Sequence, residues 1–540
     1  MSPTRRPGRA VIKTVGAAGV LAVGVAVLCV ALGGFGGHTR PGEPCDIVDS
    51  LPRIRPDYAG VVIPPNMAPL NFLIEEPGTD HFVRLHAAHG APIEVFGKTG
   101  KIVIPEGPWQ RLVAANRGDT LNVDVFVRPP VQEGTGGKRP PWKRFKTIVN
   151  TIAAEEIDGY LVYRRIRPGH EVWRRMGVYQ RDLSGFDEKV ILDNGQLRGG
   201  CLNCHTFCNH HTDKMLLGIR SATYGSSALL IEDERVRRIG TKFGYTSWHP
   251  SGQVAAFSVN QVHQVFHSAA SEIRDVFDSD SLIAYYRLDT EAVETAAPLS
   301  NKDRLETYPT WSPDGRYLYF SSAPVTWEDT RTLPNRLDQI RYDLVRAPYD
   351  VDSDTWGPLE TVLSAQETGK SLMLPRISPD GRWLLFVTCD YGCFPVYRPS
   401  SDLCLMDLQA FQQTGRREYR RLDANSDASE SWHSFSSNGR WIAFSSKRLS
   451  HIFTRTYLAY FDEQGRVHKP ILLPQKDPLH YDSCLWTFSV PELVSEPIRV
   501  SRRALAQALR DTAAGSARMP VTMATPKADA GAMYAQPVRE

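Results

Sequence analysis

The chain has no G-x-S-x-G pentapeptide, the strained turn that exposes a hydrolase serine, so a serine hydrolase of that type is excluded. It has almost no charge surplus: 63 Lys+Arg against 60 Asp+Glu leave +3. A nucleic-acid footprint needs a basic patch and a higher isoelectric point, so that partner class drops out. EF-hand spacing is also missing, and the acidic run Glu272, Asp275, Asp278, Asp280 reads as a solvated loop. Long apolar runs are absent except for one. Residues 14–37 are uncharged and apolar, and they follow Arg5, Arg6, Arg9 and Lys13. This pattern predicts a secretory signal or a membrane anchor over residues 1–37. Ala31-Leu32-Gly33 would suit cleavage, and no lipobox precedes Cys29. In either case the remainder is expected to be periplasmic, held to the inner membrane by residues 14–37 if they are retained.

Cysteine is scarce, with nine in 540 residues, yet two fall in Cys201-Leu202-Asn203-Cys204-His205. C-x-x-C-H is the attachment signature of a c-type haem: two thiols add to the two porphyrin vinyl groups and the histidine ligates the iron. At this composition, random placement would give the string about four times in a thousand. The expected cofactor is therefore one haem c, with Cys201 and Cys204 covalently attached and His205 as proximal ligand. Two other readings stay open here. Cys201, Cys204, Cys208 and a nearby histidine, His210 or His211, could hold zinc, or Cys201 and Cys204 could be a dithiol pair. Beyond Cys29 and the motif, six cysteines remain, and the spacing of Cys389, Cys393 and Cys404 permits one local disulfide. No second C-x-x-C-H is present, so multi-step redox chemistry lacks an obvious relay.

A repeat governs the second half. Tyr245-Thr-Ser-Trp-His-Pro-Ser-Gly252, Tyr308-Pro-Thr-Trp-Ser-Pro-Asp-Gly315, Leu374-Pro-Arg-Ile-Ser-Pro-Asp-Gly381 and Trp432-His-Ser-Phe-Ser-Ser-Asn-Gly439 share one register. A β-rich run follows each, as in Tyr317-Leu-Tyr-Phe-Ser321. The Gly-terminated triplets predict tight turns between antiparallel strands, and self-similarity at this period predicts a β-propeller. The segment Tyr308 to Ser322 is similar to the repeat of the TolB-like, or PD40-type, propellers, P-x-W-S-P-D-G-x-x-L-x-F-x-S. Together with C-x-x-C-H, the chain resembles exported bacterial propeller proteins that carry one haem c motif. The resemblance implies a six- or seven-bladed all-β propeller. It implies little about function, because such propellers serve many functions.

The expected organisation is a small β-sandwich-like domain over 54–130, a linker over 131–144, a propeller over 145–495 and a mostly disordered tail over 498–540. The alternation in Leu121-Asn-Val-Asp-Val-Phe-Val127 predicts a half-buried strand. Trp248, Trp311 and Phe435 are expected in the packing between blades. By the strand order of the repeat, the haem motif should lie in a crossover between blades. The run from Gln261 to Asp280 should be an inserted loop on the same face. Its His267 is then the preferred distal iron ligand, with His263, His433 and Met373 as rivals.

Three functions follow from these readings: electron transfer or redox and ligand sensing by a haem c propeller, an interaction module in which haem is structural, or a haem oxidoreductase. The partner expected is a redox or envelope protein.

Overall fold

The computed structural model describes residues 40–42, 44–131, 139–168, 175–266, 274–326 and 336–511. The expected signal or anchor, the residues after 511 and His267 lie outside that set. Among the described residues, no helix is long and apolar enough to cross a membrane.

Two sheets and a helix make the N-terminal domain. Thr120–Arg128 runs through the larger, seven-stranded sheet, and Leu121, Val123, Val125 and Val127 are buried as the alternation requires. It pairs antiparallel with Asp80–His86, Lys143–Phe145 and Ile148–Ile152. The last two strands belong to this sheet, so the domain reaches residue 152 and not 130. Their short, alternating character gave no hint of which sheet they would join. The helix Glu106–Ala114 was not foreseen either. It buries Trp109, Leu112 and Val113, at the i, i+3, i+4 spacing, in the core shared by the two sheets, and the Trp109 indole donates to the Met67 carbonyl at 2.8 Å.

From Tyr160 onward the chain is a β-propeller. Six antiparallel sheets of at least four strands form in chain order among the described residues. The first is completed by the last strand: Thr487–Val494 pairs antiparallel with Tyr160–Ile166, which continues to Met176–Asp182 and Glu188–Asp193. N-terminal and C-terminal segments thus share one sheet and close the ring, leaving no open sheet at either end. Beyond this strand, Ile498, Val500, Leu505 and Leu509 are buried with residues of the first two sheets. The helix Arg502–Arg510 is capped by Ser501 and straps those sheets, and Arg238 donates to its Leu509 carbonyl at 3.1 Å. Trp248, Trp311 and Phe435 are buried as expected.

Six strands line the axis: Thr487–Val494, Cys201–Cys208, Gly244–Trp248, Arg304–Trp311, Ser371–Ile377 and Glu430–Phe435. Each has a register break at one corresponding residue, with φ between 46° and 59° at Val490, Cys204, Tyr245, Tyr308, Leu374 and Trp432. None of the six is glycine. A left-handed non-glycine residue costs about 1–3 kcal/mol, so six in register mark a repeated feature of the fold and not scattered strain.

Two expectations are corrected. C-x-x-C-H lies within the axial strand of the second sheet and not in a crossover. The preceding strand ends at Asp193, and the turn that follows is over by Gly200. At Gly200 φ is 111°, and a side chain would meet the Arg220 carbonyl at 2.5 Å. The insertion after Asn260 is likewise no loop. Val254–Phe266 and Arg274–Arg287 form one long hairpin with a bulge at Gln261 and Val262. It reaches the fifth sheet's loop, where Asp275 pairs with Arg398 and Arg274 covers the Tyr397 ring at 4.6 Å.

The strap is testable. Leu505→Ala removes a fully buried side chain between two sheets and should lower unfolding free energy by about 2–5 kcal/mol in denaturant titration.

Candidate functional site: a pocket on the propeller axis

The register breaks turn successive residues toward the axis, and there they line a pocket. Its empty space is about 530 Å³ counted to the open mouth. Cys204 and His205 contribute from the second sheet, Tyr245 and Thr246 from the third, and Tyr308 from the fourth. Arg376 comes from the fifth, Trp432 and His433 from the sixth, and Glu492 from the closing strand. Tyr245 and Tyr308 have ring centroids 4.4 Å apart, and Trp432 stacks on Tyr245 at 6.0 Å. Phe394 meets the Tyr245 edge at 6.3 Å, while the Tyr308 hydroxyl donates to the Cys393 carbonyl at 2.6 Å. These rings plug the axis on the face where the fifth sheet's loop lies.

His205 is 2% exposed; neither ring nitrogen makes a hydrogen bond of good geometry, but the Val490 and Val162 backbone of the first sheet lies close enough to act on its proton. Burial, with the Arg164 charge adding to it, pushes the imidazole down to about 4, so it is neutral at pH 7 and keeps a lone pair for a ligand. The Cys204 sulfur accepts from the Tyr245 backbone N–H at 3.1 Å, and burial raises both motif thiols. Cys201 is placed differently. It packs in the apolar cluster between the first two sheets, with Ile219 and Leu217. Two members of the motif therefore meet the pocket and the third is in the core behind it.

The zinc reading fails on geometry. Cys201 and Cys208 end the same strand, and seven residue steps at about 3.3 Å put their Cα atoms up to about 23 Å apart. One tetrahedral ion with bonds of about 2.3 Å cannot span that. Among the described residues, no three histidine, cysteine or acidic side chains converge as metal ligands. His210 and His211 bond to the Leu493 carbonyl and the Ser495 hydroxyl at the closing strand. All eight described cysteines are free, so the local disulfide expected among Cys389, Cys393 and Cys404 does not form.

Of the rivals for the distal position, His433 alone lines the pocket. Its Nε2 bonds the Leu385 carbonyl at 3.1 Å, Nδ1 is unpartnered, and burial lowers it to about 3. Met373 is fully buried in the hydrophobic core. His263 stacks on Phe277 within the hairpin and bonds Ser279 Oγ at 2.8 Å.

A signal in the sequence went unused. Cys204-His-Thr-Phe207 occupies the register of Trp432-His-Ser-Phe435, so His205 and His433 are counterparts, each directed at the preceding sheet. The motif is at once a haem signature and a disguised copy of the repeat.

The acidic run is only partly solvated: Asp280 is exposed, Glu272 lies outside the described residues, and the other two are buried. Asp275 and Asp278 are 5% and 1% exposed. Asp278 Oδ2 accepts from Asn260 Nδ2 at 2.9 Å, Oδ1 has no partner, and burial raises the carboxyl to about 7.

No protein-family model matches this chain, and neither does any curated protein. Solved structures similar to it include TolB from Acinetobacter baumannii, at 14% identity and TM-score 0.40, covering 72% of this chain and 85% of that one. Hydrazine synthase from Kuenenia stuttgartiensis is similar at 14% identity and TM-score 0.30, over 48% of this chain and 64% of that one. Prolyl oligopeptidase B from Galerina marginata is similar at 11% identity and TM-score 0.33, over 57% and 44%. The fold assignment rests on the strand pairing itself.

Asp278 makes a pH prediction. A raised carboxyl contributes stability that is complete below its unfolded pKa, near 3.8, and is lost as pH rises through about 7. Asp278→Asn should therefore gain on wild type between pH 4 and pH 8, by about 1–4 kcal/mol in thermal melts across that range.

Proposed function

We propose that this is an exported propeller protein carrying one c-type haem at the mouth of the axial pocket, and that it transfers electrons or senses a redox state or small ligand. The observation that carries the reading is His205. A C-x-x-C-H histidine is buried on the pocket wall, neutral at pH 7, with no well-formed hydrogen bond and only the Val490 and Val162 backbone near its ring. A buried imidazole without such a bond costs free energy that an iron ligand would recover.

Cys204 and His205 both line the pocket, and His205 would turn from the Val490 and Val162 backbone to hold an iron. Attachment at Cys201 would draw that thiol out of its cluster, next to a Gly199-Gly200 pair already in glycine-type backbone. When bound, haem supplies a one-electron iron couple tuned by its axial ligands. The chain's own residues supply the rest. Tyr245, Tyr308 and Trp432 close one end of the axis to water, and the second sheet fixes the His205 backbone. Of the described candidates for a second iron ligand only His433 lines the pocket, and His267 remains a rival.

A second reading has its own support. Because His205 and His433 are counterparts, both could serve only in packing between sheets. The molecule would then be an interaction propeller without catalysis, docking an envelope partner. Haem oxidoreductase chemistry is a third reading, for which nothing in the pocket adds support.

The test is protein purified from the envelope of a host with haem c maturation. Denatured protein should keep its Soret band, and Cys201→Ala with Cys204→Ala should abolish it. No band in the wild type leaves the interaction reading. If the iron is low-spin, whichever of His433→Ala and His267→Ala turns it high-spin identifies the distal ligand.

A further inference from the structure

The pocket is not electrically balanced. Glu492 is the one carboxylate among its lining residues, and it pairs with Arg376 at 2.9 Å across the sixth sheet's strand. Behind the wall stands a second guanidinium, Arg164. Its Nη1 donates to Asn203 Oδ1 at 2.6 Å and its Nε to Ser489 Oγ at 3.1 Å, so both acceptors are neutral. Arg164 has no ion-pair partner among the described residues. Both arginines lie within electrostatic reach of His205. Two guanidinium groups thus stand at this wall against the single carboxylate that lines the pocket.

Arg376 also has spare donors. A guanidinium presents five N–H groups in a planar fork suited to carboxylates. Glu492 takes one nitrogen, and Thr310 Oγ1 lies 3.4 Å from another. The aromatic side of the pocket, Tyr245, Tyr308 and Trp432, suits a flat apolar body whose acidic end reaches the arginines.

We propose that Arg376, backed by Arg164, is a carboxylate-holding wall, and that whatever occupies the pocket beside His205 presents carboxylates to it. These are the haem propionates if the reading above holds, or a free small dicarboxylate if it does not. Arg376 is a positioning residue in the first case and a ligand contact in the second.

The experiment has two arms. In haem-matured protein, the midpoint potential of wild type is compared with Arg376→Gln, Arg376→Lys and Glu492→Gln. Loss of the cation should shift the potential downward, the lysine variant should stay near wild type, and loss of the carboxylate should shift it upward. Haem content should be equal in all four. Glu492→Gln keeps the test alive if Arg376→Gln fails to fold. Unmoved potentials overturn the proposal while leaving the haem reading intact. If the wild type carries no covalent haem, that reading fails instead, and succinate becomes the probe. Calorimetry should then show succinate binding to wild type that is at least tenfold weaker in Arg376→Gln. Wild type that ignores succinate overturns the proposal.

Discussion

Ring closure is the constraint on which everything else depends. Each axial strand is held on one side by its own sheet and on the other by packing against its neighbours. The axial pocket therefore exists only when Thr487–Val494 has paired with Tyr160–Ile166. That pairing joins residues more than 300 positions apart, and its loop-closure entropy must be recovered by burial between sheets. The helix Arg502–Arg510 adds to the recovery by covering the outer side of the first two sheets. Glu492 on the closing strand then completes the pocket by meeting Arg376.

The six register breaks translate closure into a site. An ideal axial strand would direct alternate side chains straight into the hole and leave its carbonyls in regular ladders. The break at Cys204, Tyr245, Tyr308, Leu374, Trp432 and Val490 brings two or three consecutive residues of each strand to the axis. Three sheets place proline after the break, one places threonine and two place histidine. Chemistry is thus confined to a few positions of an otherwise uniform scaffold, which is why fold and function separate so cleanly in propellers.

Much of the fold was legible because turn chemistry repeats. Pro-Asp-Gly and its variants reported four sheets directly, and the β-rich runs upstream reported the remaining strands. Placement of the haem motif was not legible. Cysteine at 204 in place of Trp432 hides the match, although His205 repeats His433, so an axial strand read as a crossover. The hairpin after Asn260 was missed for a similar reason. Its acidic residues suggested solvent, yet Asp275 is buried against Arg398 and Asp278 is buried with a raised carboxyl. The three-residue and five-residue strands at Lys143–Phe145 and Ile148–Ile152 were too short to reveal which domain they serve.

The central claim is that the motif holds iron on the propeller axis beside His205. Anomalous diffraction at the iron edge, on crystals of envelope-purified protein, tests it most directly. The account predicts one iron peak per chain at the pocket mouth, within bonding distance of a His205 nitrogen and beside the Cys204 sulfur. Crystals without an iron peak, or with iron anywhere off the axis, would contradict it.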